Sequence, residues 1–186
     1  VADATSTAII NTEQAVTALT DGTLIIWDIE TGEEIRRMDG PAPQLQVAHF
    51  NNQLVLLPAI DDRGPGTLVY VMDLESGSYV TFGQENLSII DWQLSADGTV
   101  MVTSTRQGEI TVWDAETGEI LQQLDIHPEG IVSIIGDIDA QSERALSYGA
   151  GELVLWELAT GDVINRYTVG PSDYLTPAQF TSEGIL

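Results

Sequence analysis

One phrase recurs along this chain at a nearly constant interval. It reads LIIWDIETGEEIRRMD around Trp27, ITVWDAETGEILQQLD around Trp113 and LVLWELATGDVINRYT around Trp156, with a degenerate copy around Met72. The anchors Trp27, Met72, Trp113 and Trp156 are separated by 45, 41 and 43 residues. Periods of this length belong to propeller blades rather than to helical solenoids. Each anchor is followed by an acidic residue and then, at a fixed offset, by glycine: Gly32, Gly77, Gly118 and Gly161.

The intervening residues parse into strands. TLIIWDI, TLVYVMDL, EITVWDA and ELVLWEL are short, rich in β-branched and aromatic residues, and bounded by turn triplets. No stretch of ten residues carries helical periodicity. In the third module LSIIDWQL, TVMVTST, EITVWDA and EILQQLD read as four successive strands, and the other modules follow suit. The middle strands are apolar on both faces, as expected where each sheet lies between two neighbours. The expected fold is all-β: a β-propeller of four-stranded antiparallel blades. The modules span 1–40, 41–84, 85–126 and 127–170, and a partial fifth spans 171–186. That is about four blades plus the start of another.

These phrases resemble WD40 repeats across nearly the whole chain. Trp27-Asp28 and Trp113-Asp114 carry the Trp-Asp pair, while Trp156-Glu157 and Met72-Asp73 are degraded forms. The resemblance implies a β-propeller that serves as a rigid, non-enzymatic platform or scaffold for protein–protein interaction, with no cofactor. It also implies blade anchors: Trp27, Met72, Trp113 and Trp156, joined in a tetrad to a His, a Ser or Thr, and an Asp. The fourth module offers His127, Ser147 and Trp156, with Ala150 in place of the Asp. The first offers Thr17, Asp21 and Trp27, and the third has Gln107 for the Asp. The three Trp anchors, with Met72 in the same place, are expected to be buried. A second resemblance is to quinoprotein-type propellers, which bind a cofactor and dock their blades through a Trp. Those positions fall on Arg36, Thr81, Gln122 and Asn165, and none is Trp.

Four modules plus a fraction leave sheet faces without neighbours. The expectation is that the chain is part of a larger propeller or is completed by another copy. A related alternative is a structural unit whose open faces join chains into a ring or filament.

Charge narrows the partners. Six Lys plus Arg, all of them Arg, stand against 29 Asp plus Glu, a net charge of −23. Such a field disfavours nucleic acid and suits basic protein partners. No apolar run reaches the roughly 20 residues that cross a bilayer. A soluble chain is expected, with a cell-surface or secreted setting favoured over a cytoplasmic one. The absence of Cys excludes disulfides, thiol catalysis and Cys-based zinc sites. Only His49 and His127 are available as imidazole bases, and His127 sits at the tetrad position, so no catalytic residues are assigned. Asp137, Asp139 and Glu143 lie in GDIDAQSE, which lacks the Gly and distal Glu of a calcium loop and reads as a turn.

One connection stands out. Second and third strands are joined by two or three residues elsewhere, but by AIDDRGPG in the second module. Loops projecting from a rigid scaffold carry binding. Pro41, Pro43, Asp61, Asp62 and Arg63 form the expected interaction surface. Trp92 is expected in an inner strand at the position of Ala48, Gly136 and Ala178, and Pro177 in the last inner strand.

Overall fold

A computed structural model describes residues 2–50, 53–58, 68–83, 89–128, 131–139, 141, 143–169, 180–181 and 184–185. Every regular element among them is a β-strand, and no described helix is long and apolar enough to cross a membrane. The chain divides into two units, Val1–Glu85 and Asn86–Leu186.

The first unit holds two antiparallel four-stranded sheets. One runs β1 (Ala4–Ile9), β2 (Gln14–Leu19), β3 (Thr23–Asp28) and β4 (Glu34–Asp39) in sequence order. The other runs β5 (Leu45–Phe50), β6 (Gln53–Pro58), β7 (Val69–Asp73) and β8 (Tyr79–Phe82). The second unit repeats the plan with β9 (Ile89–Leu94), β10 (Val100–Thr105), β11 (Ile110–Asp114) and β12 (Ile120–Leu124). Its next sheet is β13 (Ile134–Ile138), β14 (Arg144–Gly149), β15 (Glu152–Glu157) and β16 (Val163–Thr168). A two-stranded ladder of β17 (Phe180–Thr181) and β18 (Gly184–Ile185) follows. This all-β meander of four-stranded sheets is the construction of propeller blades. Pro177 and Ala178 lie outside the described residues.

The turn after each third strand shows why the recurring phrase has its spelling. Asp28 accepts the Thr31 N–H at 2.7 Å and the Thr31 hydroxyl at 2.9 Å, while the Gly32 N–H closes onto the Asp28 carbonyl at 2.9 Å. Gly32 has φ +72°, where a side chain is strained. Asp73 with Ser76 and Gly77, and Asp114 with Thr117 and Gly118, repeat the same bonds. Glu157 with Thr160 and Gly161 gives a looser version at 3.2 Å. The carboxyls of Asp28, Asp73 and Asp114 are held below the ordinary range, chiefly by the N–H and then the hydroxyl of Thr31, Ser76 and Thr117. The acid of the Trp-Asp pair is thus the cap of its own turn.

Each unit buries its core between successive sheets. In the first, Val16, Ala18, Leu24 and Ile26 of β2 and β3 meet Leu54, Leu56, Met72 and Leu74 of the following sheet. In the second, Val102, Ile110 and Val112 meet Ala145, Trp156 and Leu158. Within each unit the first sheet thus packs with its trailing face on the leading face of the second, and the leading face carries the Trp or Met anchor. Period-2 alternation along β2, β3, β14 and β15 distributes the side chains between the two faces.

Candidate interaction surface and sheet joints

The anchors differ in their surroundings. Trp156 is fully buried and Trp113 is 6% exposed. Trp156 Nε1 donates to Ser147 Oγ at 3.1 Å, and Ser147 Oγ lies 2.9 Å from His127 Nε2. Trp113 Nε1 donates to Thr103 Oγ1 at 2.8 Å. Met72 is fully buried, with Leu56 where the hydroxyl residue stands in the other sheets. Trp27 departs from the expectation, for it is only half-buried. Its strand pairs Trp27 with Ala15 and places Thr17 at the hydroxyl position. The Thr17 hydroxyl instead lies 3.3 Å from the Thr7 hydroxyl, and among the described residues the Trp27 indole makes no equivalent bond. No described sheet packs on this face within the first unit.

Asp21 is also corrected. It is exposed in the β2–β3 turn and accepts the Thr23 N–H at 2.9 Å, so it caps that turn and stays out of a tetrad. Ala150 and Gln107 at the matching places are likewise exposed. The network in the fourth sheet is therefore a triad.

His127 is held in a confined place. A Cβ added at Gly149 would stand 2.9 Å from His127 Cγ, so glycine makes the room. The residue is 5% exposed, and among the described residues its Nδ1 lies without a well-formed hydrogen bond. Burial first, and the Arg166 guanidinium second, push its pKa down to about 4. A neutral, fixed imidazole bonded to a structural serine is a packing element.

The inner strands are tied by side chains to backbone. Ser6 Oγ accepts the Val47 N–H at 3.2 Å, and Thr5 Oγ1 donates to the Leu45 carbonyl at 2.8 Å. In the second unit Asp91 accepts the Ile135 N–H at 2.7 Å, and Ser104 donates to the Ser133 carbonyl at 2.6 Å. Asp137 does the same for the Phe180 N–H at 2.8 Å. An inner strand has one edge without a ladder, and these side chains satisfy polar groups left there. Asp137 thus belongs to a joint. Asp139 caps its turn through the Glu143 and Arg144 N–H groups and pairs with Arg144 Nε at 2.8 Å. Among the described residues no group of carboxylates and imidazoles is placed to hold a metal.

Trp92 pairs with Thr103, Val47 with Leu56 and Ile135 with Ser147. Trp92 therefore shares its register with Val47 and Ile135, one residue away from the expected Ala48 and Gly136. In a strand that single step changes the face; an irregularity at Gly136 accounts for the step there, whereas β5 pairs with β6 without one, so Ala48 is simply misaligned.

The outer strands supply a second tie. Arg36 Nη1 donates to the carbonyls of Leu74 and Glu75 at 2.8 and 3.0 Å. Gln122 donates in the same way to the Ala159 carbonyl, at the position matching Glu75. Arg36 and Gln122 occupy two of the positions where a quinoprotein-type propeller would dock a Trp. Here a polar donor reaches the next turn, which leaves that reading without support.

Of the expected interaction surface, Pro41 is half-buried and Pro43 exposed. Asp61, Asp62 and Arg63 lie outside the described residues. The linker that carries the two prolines runs against the β2–β3 turn: the Gly40 N–H donates to the Gly22 carbonyl at 3.0 Å, and a Cβ on Gly22 would meet the Ala42 carbonyl oxygen at 2.6 Å.

No protein-family model matches the chain. Curated relatives do.

The chain is similar to eukaryotic translation initiation factor 3 subunit I.

The protein of that name from Vanderwaltozyma polyspora is 27% identical over 150 residues, which cover 72% of this chain and 42% of the relative. The one from Meyerozyma guilliermondii is 26% identical over 149 residues, with the same coverage. The Aspergillus fumigatus protein is 26% identical over 134 residues, 63% of this chain and 38% of the relative. The chain thus spans less than half the length of the relatives it matches. They overturn the expectation of a cell-surface or secreted setting, because translation initiation factors work in the cytoplasm.

Proposed function

We propose that this chain is a non-enzymatic protein-interaction platform that takes its place in a multi-subunit assembly of the translation initiation machinery. The similarity to initiation factor 3 subunit I over 72% of the chain carries this reading. The side-chain chemistry supports it. The hydroxyls and carboxylates of Ser6, Thr5, Asp91, Ser104 and Asp137 are engaged in joining strands, and His127 is engaged in packing. A scaffold needs its polar groups for rigidity, whereas a catalyst must leave some free to act on a substrate. In this reading residues 1–40, 41–84, 85–126, 127–170 and 171–186 are successive blades or parts of blades. Partners are proteins with basic contact surfaces, in keeping with the net charge of −23. Pro41, Pro43, Asp61, Asp62 and Arg63 contribute to the contact.

The test is reconstitution. Initiation factor 3 from one of the matched yeasts is prepared without its subunit I, and the tagged chain is added. Incorporation into the complex, and competition with the yeast subunit, is the expected result. Asp61→Lys with Asp62→Lys should weaken incorporation. If the matching region of the yeast subunit binds and this chain does not, the reading fails.

A further inference from the structure

We infer that the joint between the first and second sheets seats an arginine side chain of a protein partner, its guanidinium donating to the Gly40 carbonyl and stacking on Tyr79.

The second unit shows what belongs at such a place. Arg166 of β16 reaches back to the link that follows β12: its Nη2 donates to the Ile126 carbonyl at 2.9 Å, and its Nη1 pairs with Glu152 at 3.0 Å. One guanidinium thus ties the fourth sheet to the link leaving the third.

The first unit follows the same plan up to that point. Met38 pairs with Leu24 as Leu124 pairs with Ile110, so Gly40 stands where Ile126 does. Gly22 and Gly108, at φ +93° and +92°, form the turns beside the two links, and a Cβ on either would run into a link carbonyl, that of Ala42 or Ile131. On the facing sheet Thr81 pairs with Tyr70 as Arg166 pairs with Val154, each two residues before the anchor Met72 or Trp156. Thr81 therefore holds the place of Arg166.

Thr81 is exposed, and its hydroxyl ends several atoms short of the reach of an arginine. Among the described residues no donor to the Gly40 carbonyl is recorded. The positions of Val154 and Val163 are taken by Tyr70 and Tyr79. These rings meet edge to face, with centroids 5.8 Å apart and planes at 87°, and Tyr79 is 48% exposed. An accessible phenol face attracts a cation, and the planar guanidinium stacks on it. Pro41, at the place of His127, brings neither charge nor N–H. The field of a chain at −23 favours a cation throughout. Arg36, in the same joint, is committed to the Leu74 and Glu75 carbonyls at the turn end. Both joints lie inside a unit with a sheet on either side, so the exposure of Thr81 and Tyr79 belongs to the joint itself. Such a seat gives the interaction platform proposed above a named contact group, and it rests on that reading for the partner's identity alone.

The test uses the full 186-residue chain with carbon-13-labelled tyrosine rings, in about 150 mM NaCl. It is titrated by NMR with N-acetyl-argininamide, N-acetyl-lysinamide or the neutral N-acetyl-citrullinamide, each up to roughly 50 mM, the range suited to a single weak contact. The arginine probe should shift Tyr79 and Tyr70 saturably and leave Tyr148 and Tyr167 in place, and the other two should bind at least about tenfold more weakly. Thr81→Arg supplies the guanidinium from the chain itself. It should abolish the response of Tyr79 and raise the melting temperature by about 2–4 °C over Thr81→Gln. A Tyr79 that does not respond, that responds equally to the lysine probe, or that still responds in Thr81→Arg overturns the inference. So does a Thr81→Arg chain no more stable than Thr81→Gln. In the reconstituted initiation complex Thr81→Arg should enter less well than the wild-type chain, and equal entry overturns the seat as well. A wild-type chain that fails to enter counts against the initiation-factor reading only, because the probe titration judges the seat with no partner present.

Discussion

Trp156 and Ser147 are joined by a 3.1 Å hydrogen bond inside the second unit, whereas Trp27, at the same place in the first sheet, has no such bond and is half-buried. One sequence motif therefore sits in two energetic settings. Truncating a fully buried Trp to Ala removes packing and leaves a cavity, at a typical cost of about 3–5 kcal/mol. Trp156→Ala should fall in that range. Trp27→Ala should cost less than half as much, because water already reaches the ring. Urea unfolding followed by circular dichroism measures both, and equal losses would contradict the open leading face of the first sheet.

Acid should act through His127. Its folded pKa is depressed to about 4, from an unfolded value near 6.5. Above pH 6.5 the ring is neutral in both states and the full stability is present. As pH falls toward 4 the unfolded chain takes up a proton that the folded chain refuses, so stability declines by up to about 1.4 kcal/mol per pH unit. His49, whose pKa burial also lowers, adds in the same sense. The difference between wild type and His127→Gln isolates the first effect: the variant should start less stable at pH 7.5 and lose less between pH 6.5 and 4. Parallel curves would assign the acid sensitivity elsewhere.

Gly161 and Gly32 share a backbone conformation, φ +75° and +72°, but only Gly161 lies against a neighbouring side chain, that of Leu124. Gly→Ala at either position pays the left-handed penalty of roughly 1–2 kcal/mol. Gly161→Ala must in addition displace Leu124, so it should be the more destabilising of the two. Thermal unfolding of the two variants side by side reads the packing contribution directly. Matching losses would mean that Leu124 moves aside freely.

How much of this was legible beforehand follows from which interactions are local. The four-strand parse, and the glycines after Trp27, Met72, Trp113 and Trp156, depend on turn chemistry within five residues, which a sequence carries openly. The role of Asp28, Asp73 and Asp114 as turn caps was equally local, and the spacing Asp-x-x-Thr/Ser-Gly was the signal for it. Asp21 looked like a tetrad member only because a family pattern was laid over a residue that its own neighbour, Thr23, already explains. The register of Trp92 against Gly136 was out of reach, since an irregularity there shifts the count by one without marking the sequence, whereas the step from Ala48 to Val47 lies in a regular pairing. The joints made by Ser6, Asp91, Arg36 and Gln122 join residues 37 to 44 apart, and a Ser, Asp, Arg or Gln on a strand carries no mark of what lies across from it.

Arg36 and Arg37 are adjacent in β4 and point to opposite faces, which makes them a controlled comparison. Arg37 pairs with Glu34 at 2.7 Å on an exposed surface, its side chain 51% accessible. Exposed pairs of this kind contribute little to stability and are screened by salt. Arg36 instead spans two sheets, and one nitrogen serves two backbone carbonyls that have no other donor recorded among the described residues. Bonds from a charged donor contribute about 1.5–3 kcal/mol when buried, and the partial exposure of Arg36 brings the expectation to about 1 kcal/mol. Arg36→Ala should therefore destabilise the chain more than Arg37→Ala, and the gap should widen in high salt, which screens the ion pair but leaves the short carbonyl bonds largely intact. Arg36→Gln, which keeps a donor like that of Gln122, should recover part of the loss. Denaturant titrations of the three variants at low and high salt decide it: if Arg37→Ala is the costlier change, or if Arg36→Gln recovers nothing, the outer-strand tie does not hold the sheets together.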